Sequence, residues 1–187
     1  MYEELKRILG EIDLELGKGN SDDVIARIEE GLKKAGYDYI VEEWKKEGKS
    51  NINYPLVNYL FPYAKFNITL LHIAAQNNYK NVVETFLGIK GIHVNAEDRN
   101  GAIPLHWAVK DNAIDVVTIL VQAEDIEVNA QNKNGNTPLH WVVVQGNAEI
   151  VNALVEKGAD VNAQNKNGNT PLHFAVVEDN AEIVNAL

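Results

Sequence analysis

Four of the five histidines, His72, His106, His140 and His173, are spaced by 34, 34 and 33 residues. Imidazole is the side chain suited to acid–base and metal chemistry near neutral pH, so the spacing decides what these four could do. A near-constant interval places one histidine at the same point of successive copies of a unit. Packed helix layers lie roughly 8–10 Å apart, and rings in successive layers cannot close on one ion whose Zn–N bonds are about 2.1 Å. His93 stands alone in a loop, where solvation is its ordinary state. No Ser, His and acid grouping follows from the residue order, and carboxylates at repeated positions read as a solvated face. Gly48-Lys49-Ser50 ends like a phosphate-binding loop, but Glu43 stands where that motif has glycine, and helix precedes it where a strand is required. Gly10 to Lys18 fails in the same way, with Gly19 in place of Ser or Thr. The chain has no cysteine, which removes thiolate nucleophiles, disulfides and Cys-ligated zinc. No catalytic, metal or cofactor residue is expected.

The 187 residues carry a formal charge of −10. Nucleic-acid affinity comes mostly from clustered Lys and Arg, so no nucleic-acid partner is expected. The imbalance is uneven: residues 1–65 hold 10 basic and 13 acidic side chains, and residues 66–187 hold 7 and 14. The first residues lack the apolar core of a signal peptide. The most apolar stretch, Tyr54 to Ala64, is about half the ~20 residues of a membrane span. We expect a cytoplasmic protein with no membrane partner.

The positions around the histidines repeat as well. N-A-Q-N-K-N-G-N-T-P-L-H occurs at Asn129–His140 and again at Asn162–His173, and N-A-E-I-V-N-A-L occurs at Asn147–Leu154 and Asn180–Leu187. Weaker copies run from Asp98 to His106 and from Asn67 to His72. Each feature has a physical reason. Thr137 suits a helix N-cap and Pro138 the first helical position. Leu139, Val142 and Val143 give one apolar face, Gly146 breaks the helix, and Ile150, Val151, Leu154 and Val155 give a second. Gly158 suits a left-handed C-cap and Asn134-Gly135 a tight turn. Ile103 replaces the capping Thr in the second copy, a loss of roughly 1 kcal/mol, and Leu70 replaces Pro in the first. The Leu87–Asn95 and Val121–Asn129 linkers are one residue longer than Val155–Asn162, so a small change of spacing or tilt is expected there.

Over residues 66–187 the chain resembles the ankyrin repeat, with its 33-residue period and T-P-L-H-x-A signature. The resemblance implies an all-α solenoid of helix-turn-helix units, about 66–97, 98–131, 132–164 and 165–187, the last truncated. It further implies β-hairpin fingers beside a concave face built from the first helices, and motif histidines that hydrogen-bond within and between repeats. Residues 1–65 read as helical, with apolar stripes at Leu5, Ile8, Leu9, Ile12 and Leu16, at Val24, Ile25, Ile28, Leu32 and Ala35, and at Ile40, Val41 and Trp44. A short fourth helix is expected at Pro55 to Phe61. This region is either a cap over the first repeat or a degenerate repeat, the segment Gly19 to Gly31 echoing Gly146 to Gly158. The last copy stops without the V-E-K-G-A-D-V-N-A that follows Leu154, from which a longer natural array is expected.

In ankyrin proteins the partner is gripped by finger tips and exposed first-helix positions, and the resemblance carries these onto matching residues. They are Arg99, Asn100, Ala102, Trp107, Lys110 and Asp111 in the second copy; Lys133, Asn134, Asn136, Trp141, Val144 and Gln145 in the third; and Lys166, Asn167, Asn169, Phe174, Val177 and Glu178 in the fourth. Ile73, Trp107, Trp141 and Phe174 each follow a motif histidine, so they register into one apolar row. The row is either a partner contact or packing between repeats. The implied function is a non-catalytic, monomeric protein-interaction module whose negative field favours a basic partner surface. The alternatives are the targeting part of a larger enzyme or toxin, or a bacterial effector delivered into a host cell.

Overall fold

The structure, a computed structural model, describes residues 2–17, 23–46, 53, 66–178 and 181–187. The expected helix at Pro55–Phe61 and the Gly48-Lys49-Ser50 segment lie outside these. The described chain is helical: α1 (Tyr2–Leu16), α2 (Val24–Lys34), α3 (Asp38–Lys46), then the pairs α4 (Leu70–Gln76) and α5 (Lys80–Leu87), α6 (Pro104–Lys110) and α7 (Ile114–Leu120), α8 (Pro138–Gln145) and α9 (Ala148–Glu156), and α10 (Pro171–Val177) and α11 (Ala181–Ala186). First helices stack on first helices and second helices on second helices, which makes two parallel rows.

The paired helices α4 to α11, of six to nine residues, are far too short to persist alone. Burial between layers is what sustains them. Leu139, Val143 and Val151, lying between layers, are at most 1% exposed; the matching Leu172, Val176 and Val184 of the last pair are 43%, 62% and 37% exposed. One side chain buried in this way contributes about 1.5–3 kcal/mol, so a layer's stability comes largely from its neighbour.

Each of the first three pairs is folded back on itself by a left-handed residue after its first helix. Gly146 (φ 73°) does this in the third pair, and Asn78 (φ 55°) and Asn112 (φ 56°) do it in the first two. Asparagine is the side chain that best tolerates this conformation after glycine. The fingers are tight turns, and no β-strand forms among the described residues. One backbone bond crosses between neighbouring fingers: Arg99 N–H to Phe66 O at 2.8 Å, Lys133 N–H to Asn100 O at 2.8 Å, and Lys166 N–H to Asn134 O at 3.0 Å.

A second ladder runs along the loops behind the second helices. Asn95 donates its amide to Asp125 O (2.6 Å) and accepts from Glu127 N–H (3.0 Å); Asn129 does the same with Gly158 O (3.0 Å) and Asp160 N–H (2.8 Å). Asn53 makes the equivalent pair with Gly91 O (2.8 Å) and His93 N–H (2.7 Å). The stacking register therefore reaches back into the region that shows no repeat phase in sequence. Asn53 to Asn95 spans 42 residues, against 34 and 33 for the later steps.

The N-terminal helices bury the expected stripes, with Leu5, Leu9, Ile28, Leu32, Ile40, Val41 and Trp44 all at 0% exposure. Asp23 caps α2 by accepting from Ile25 and Ala26 N–H. Helix α1 lies against α4 and α5, joined by Tyr79 Oη–H to Lys6 O (3.0 Å) and Val82 N–H to Asp13 Oδ1 (3.0 Å). Asp13 thus serves α5 as Asn78 Oδ1 serves α7 at Val116 N–H (3.1 Å). This is how the first layer is covered.

Gly135 and Gly168 hold similar positive φ values, 79° and 78°, but a Cβ at Gly135 would meet Lys166 N at 2.7 Å while one at Gly168 meets nothing within 4 Å. Gly168→Ala should cost about 1 kcal/mol, the conformational penalty alone. Gly135→Ala should cost about 3 kcal/mol, since the finger stack must also shift. Chemical denaturation of the two variants checks this, and equal losses would contradict the close approach.

Candidate functional site

The motif histidine is the first thing each layer builds. The backbone N–H of the N-cap residue donates to its Nδ1: Thr69 to His72 (3.2 Å), Ile103 to His106 (3.3 Å), Thr137 to His140 (3.1 Å) and Thr170 to His173 (3.2 Å). A nitrogen that accepts a hydrogen bond carries no proton, so in the neutral ring the proton sits on Nε2. That N–H donates into the next finger: His72 to Ala102 O (3.1 Å), His106 to Asn136 O (3.0 Å) and His140 to Asn169 O (3.0 Å). The near-equal lengths show that the extra linker residues do not disturb the register along this line.

The threonine hydroxyls add to the joint. Thr69 Oγ1 accepts from His72 N–H at 3.4 Å, and Thr137 and Thr170 Oγ1 lie 2.9 and 2.8 Å from Nδ1. Ile103 lacks the hydroxyl, yet it keeps the backbone bond and buries its side chain to 2% exposure. Burial of an isoleucine offsets a cap loss of about 1 kcal/mol, so the expected weakness of this helix start is largely compensated.

Burial sets the charge state. Desolvation pushes His72 and His106 down to about 4 from 6.5, opposed by their bonds to Ala102 O and Asn136 O, and lowers His140 for the same reason. Among the described residues no three His, Cys, Asp or Glu side chains are gathered so as to hold a metal ion.

Upon this frame stands the aromatic row. Ile73 is wholly buried, and Trp107, Trp141 and Phe174 are half-buried. Each ring meets the preceding layer's histidine edge-on, with centroids 5.3 Å apart for His72–Trp107, 5.3 Å for His106–Trp141 and 5.9 Å for His140–Phe174. The row is therefore interleaved with imidazoles, each aromatic ring packing on the histidine before it and remaining partly exposed.

Arg99, Lys110, Asp111, Lys133, Val144, Gln145, Lys166, Val177 and Glu178 are exposed, whereas Ala102, expected beside them at the finger, is buried at 2% exposure. Val144 and Val177 are 46% and 79% exposed. Arg99 lies over the Phe66 ring at 5.2 Å. Asn136 and Asn169 are instead bound into the frame: the Asn136 amide oxygen accepts from Asn165 Nδ2 (2.8 Å), and Asn169 N–H donates to Asn165 Oδ1 (3.1 Å). Trp107, Lys110, Asp111 and Trp141 converge on one concavity of about 240 Å³, which Gln76, Asp98 and Asn132 also line.

Asp98 and Gln76 are not legible as site residues in the sequence. Asp98 is 6% exposed; its Oδ1 accepts from Asn100 N–H (2.7 Å) and Ala102 N–H (2.9 Å), and its Oδ2 from the Trp107 indole N–H (3.1 Å). Gln76 Nε2 donates to Asp111 Oδ2 at 3.1 Å. The one available signal is that Asn132 and Asn165 hold the place of Asp98 in later copies.

A family model described as ankyrin repeats (3 copies) matches residues 47–132 and 124–187. No curated protein matches the sequence.

Two outcomes follow from the geometry. A histidine with a depressed folded pKa binds fewer protons folded than unfolded, so its stability contribution is complete above pH 6.5 and is lost as pH falls toward about 4. Thermal unfolding should show a loss of roughly 10 °C between pH 7 and pH 5; a flat profile would contradict buried neutral rings. Trp107→Ala should cost about 2–3 kcal/mol and Trp141→Ala about 1 kcal/mol less, because Trp107 also gives its indole N–H to Asp98. Denaturant titration of both variants measures the difference.

Proposed function

Because the chain belongs to the ankyrin-repeat family, we propose that it is a non-catalytic interaction module that grips a partner protein through its first-helix face and finger turns. Ankyrin repeats are in general protein–protein interaction modules. Among the described residues no helix is long and apolar enough to cross a membrane.

The observation that carries the reading is the aromatic row with Val144 and Val177 beside it. These apolar groups stand on a framework fixed by histidine and finger bonds, so they are already placed before a partner arrives. Binding to such a surface loses little conformational entropy, and half-open tryptophans are frequent interface hot spots. Arg99, Lys133 and Lys166 at the finger turns, with Lys110, Asp111, Gln145 and Glu178 on the helices, supply a polar rim. Phe174 extends the row into the last pair. The excess of acidic side chains over residues 66–187 favours a partner with a basic surface and acts chiefly on association rate. We infer a monomer working in the cytoplasm.

Affinity capture on the immobilised chain, read by mass spectrometry, tests this. Val144→Lys on the first-helix row should weaken capture of the recovered partner at least about tenfold at unchanged melting temperature. Asn152→Lys, exposed on α9 of the other row, should leave it intact. Equal effects of the two would overturn the placement of the interface.

A further inference from the structure

The concavity between the second and third fingers has a composition of its own. It is lined by the buried Asp98 carboxylate, by the half-buried Trp107 and Trp141, and by the exposed Asp111, whose carboxylate accepts from Gln76. Lys110 is the one basic side chain lining it.

The charge of Asp98 is surplus to its part in the turn. Asn132 fastens the next finger with the same two bonds from one amide oxygen, to Asn134 N–H (2.9 Å) and Asn136 N–H (3.1 Å), and Asn165 repeats them at Asn167 (2.9 Å) and Asn169 (3.1 Å). A neutral amide is thus enough to hold such a finger. The second carboxylate oxygen does something else: it takes the Trp107 indole N–H and so sets a negative charge beside an aromatic ring.

The ligand chemistry follows by exclusion. An acidic group is repelled by Asp98 and Asp111. An apolar side chain would take the remaining water from both carboxylates and offer no charge to balance them beyond the neutral donors they already have from the turn amides, Trp107 and Gln76. A neutral polar group could hydrogen-bond here but leaves the two negative charges unbalanced, whereas a cation balances them, and its shape can be stated. An ammonium ion meets the charge as a compact, strongly hydrated point. A guanidinium is flat and weakly hydrated, stacks on an indole, and spreads several donors over separated carboxylate oxygens. The acidic excess of residues 66–187, 14 against 7 basic groups, draws a cation toward this face.

We propose that this concavity receives an arginine side chain of the partner protein. The assignment rests on the first-helix face being the interaction surface and names one contact within it.

The test is a titration of the full ¹⁵N-labelled chain with an acetylated, amidated Gly-Arg-Gly peptide, followed at the indole N–H signals. The same peptide with citrulline or lysine in place of arginine serves as comparison. The arginine peptide should shift the Trp107 and Trp141 signals saturably and leave that of the buried Trp44 in place. The lysine peptide should bind about threefold more weakly and the citrulline peptide at least about tenfold more weakly. Asp98→Asn, which keeps the finger bonds that Asn132 makes but gives up the acceptor of the Trp107 indole N–H, should weaken the arginine peptide about tenfold and lower the melting temperature by only about 2–4 °C. The exposed Asp111→Asn should weaken it about threefold, and it reports independently should Asp98→Asn fold poorly. Absence of a saturable shift, equal binding by the citrulline or lysine peptide, or unchanged binding to both variants would overturn the proposal. A captured partner that is lost on Val144→Lys yet indifferent to both Asp variants would sink the arginine contact alone and leave the wider interface standing.

Discussion

An imidazole that accepts on one nitrogen and donates on the other joins each layer to the next. The N-cap N–H occupies Nδ1, which forces the proton onto Nε2, and Nε2 points at a carbonyl of the following finger. Burial keeps the ring neutral, and only the neutral ring can both accept and donate in this way. Helix start, layer spacing and finger position are therefore fixed by one side chain. The regular 34- and 33-residue steps in sequence are the trace of that constraint.

The rest of the structure is arranged around the joint. The finger glycines permit the turn that presents the accepting carbonyl, and at Gly135 they also permit the neighbouring finger to approach. The loop asparagines, Asn53, Asn95 and Asn129, repeat the two-bond tie on the far side of the stack. Between these lines the apolar faces close on one another, and α1 closes the first layer with Asp13 and Tyr79. A surface held along several lines moves little as a whole. The tryptophans that lean on the histidines are accordingly both part of the packing and part of the exposed face.

Much of this is legible in the residues. Thr-Pro-Leu-His, the Gly146 break and the paired apolar faces each state a local preference that agrees with the layer they form. What escapes notice depends on two layers at once. Asp98 looks like one more turn residue until the Trp107 indole is placed beside it, and Gln76 has no meaning without Asp111 from the next layer. Asn53 escapes because its step to the next asparagine is 42 residues, although Ile52-Asn53 echoes Val94-Asn95 and Val128-Asn129. Asn136 and Asn169 resemble finger-tip contacts in sequence, yet the frame uses them: each carbonyl accepts a histidine proton. Ile103 looks like a defect by cap rules because burial of its side chain cannot be read locally.

The most direct test is the tautomer of the buried histidines, read from long-range ¹⁵N–¹H correlations of the imidazole rings at neutral pH. The stack requires His72, His106 and His140 to carry their proton on Nε2, with that proton slow to exchange. Rings protonated on Nδ1, or on both nitrogens, would contradict the interlayer bond and with it the preformed face.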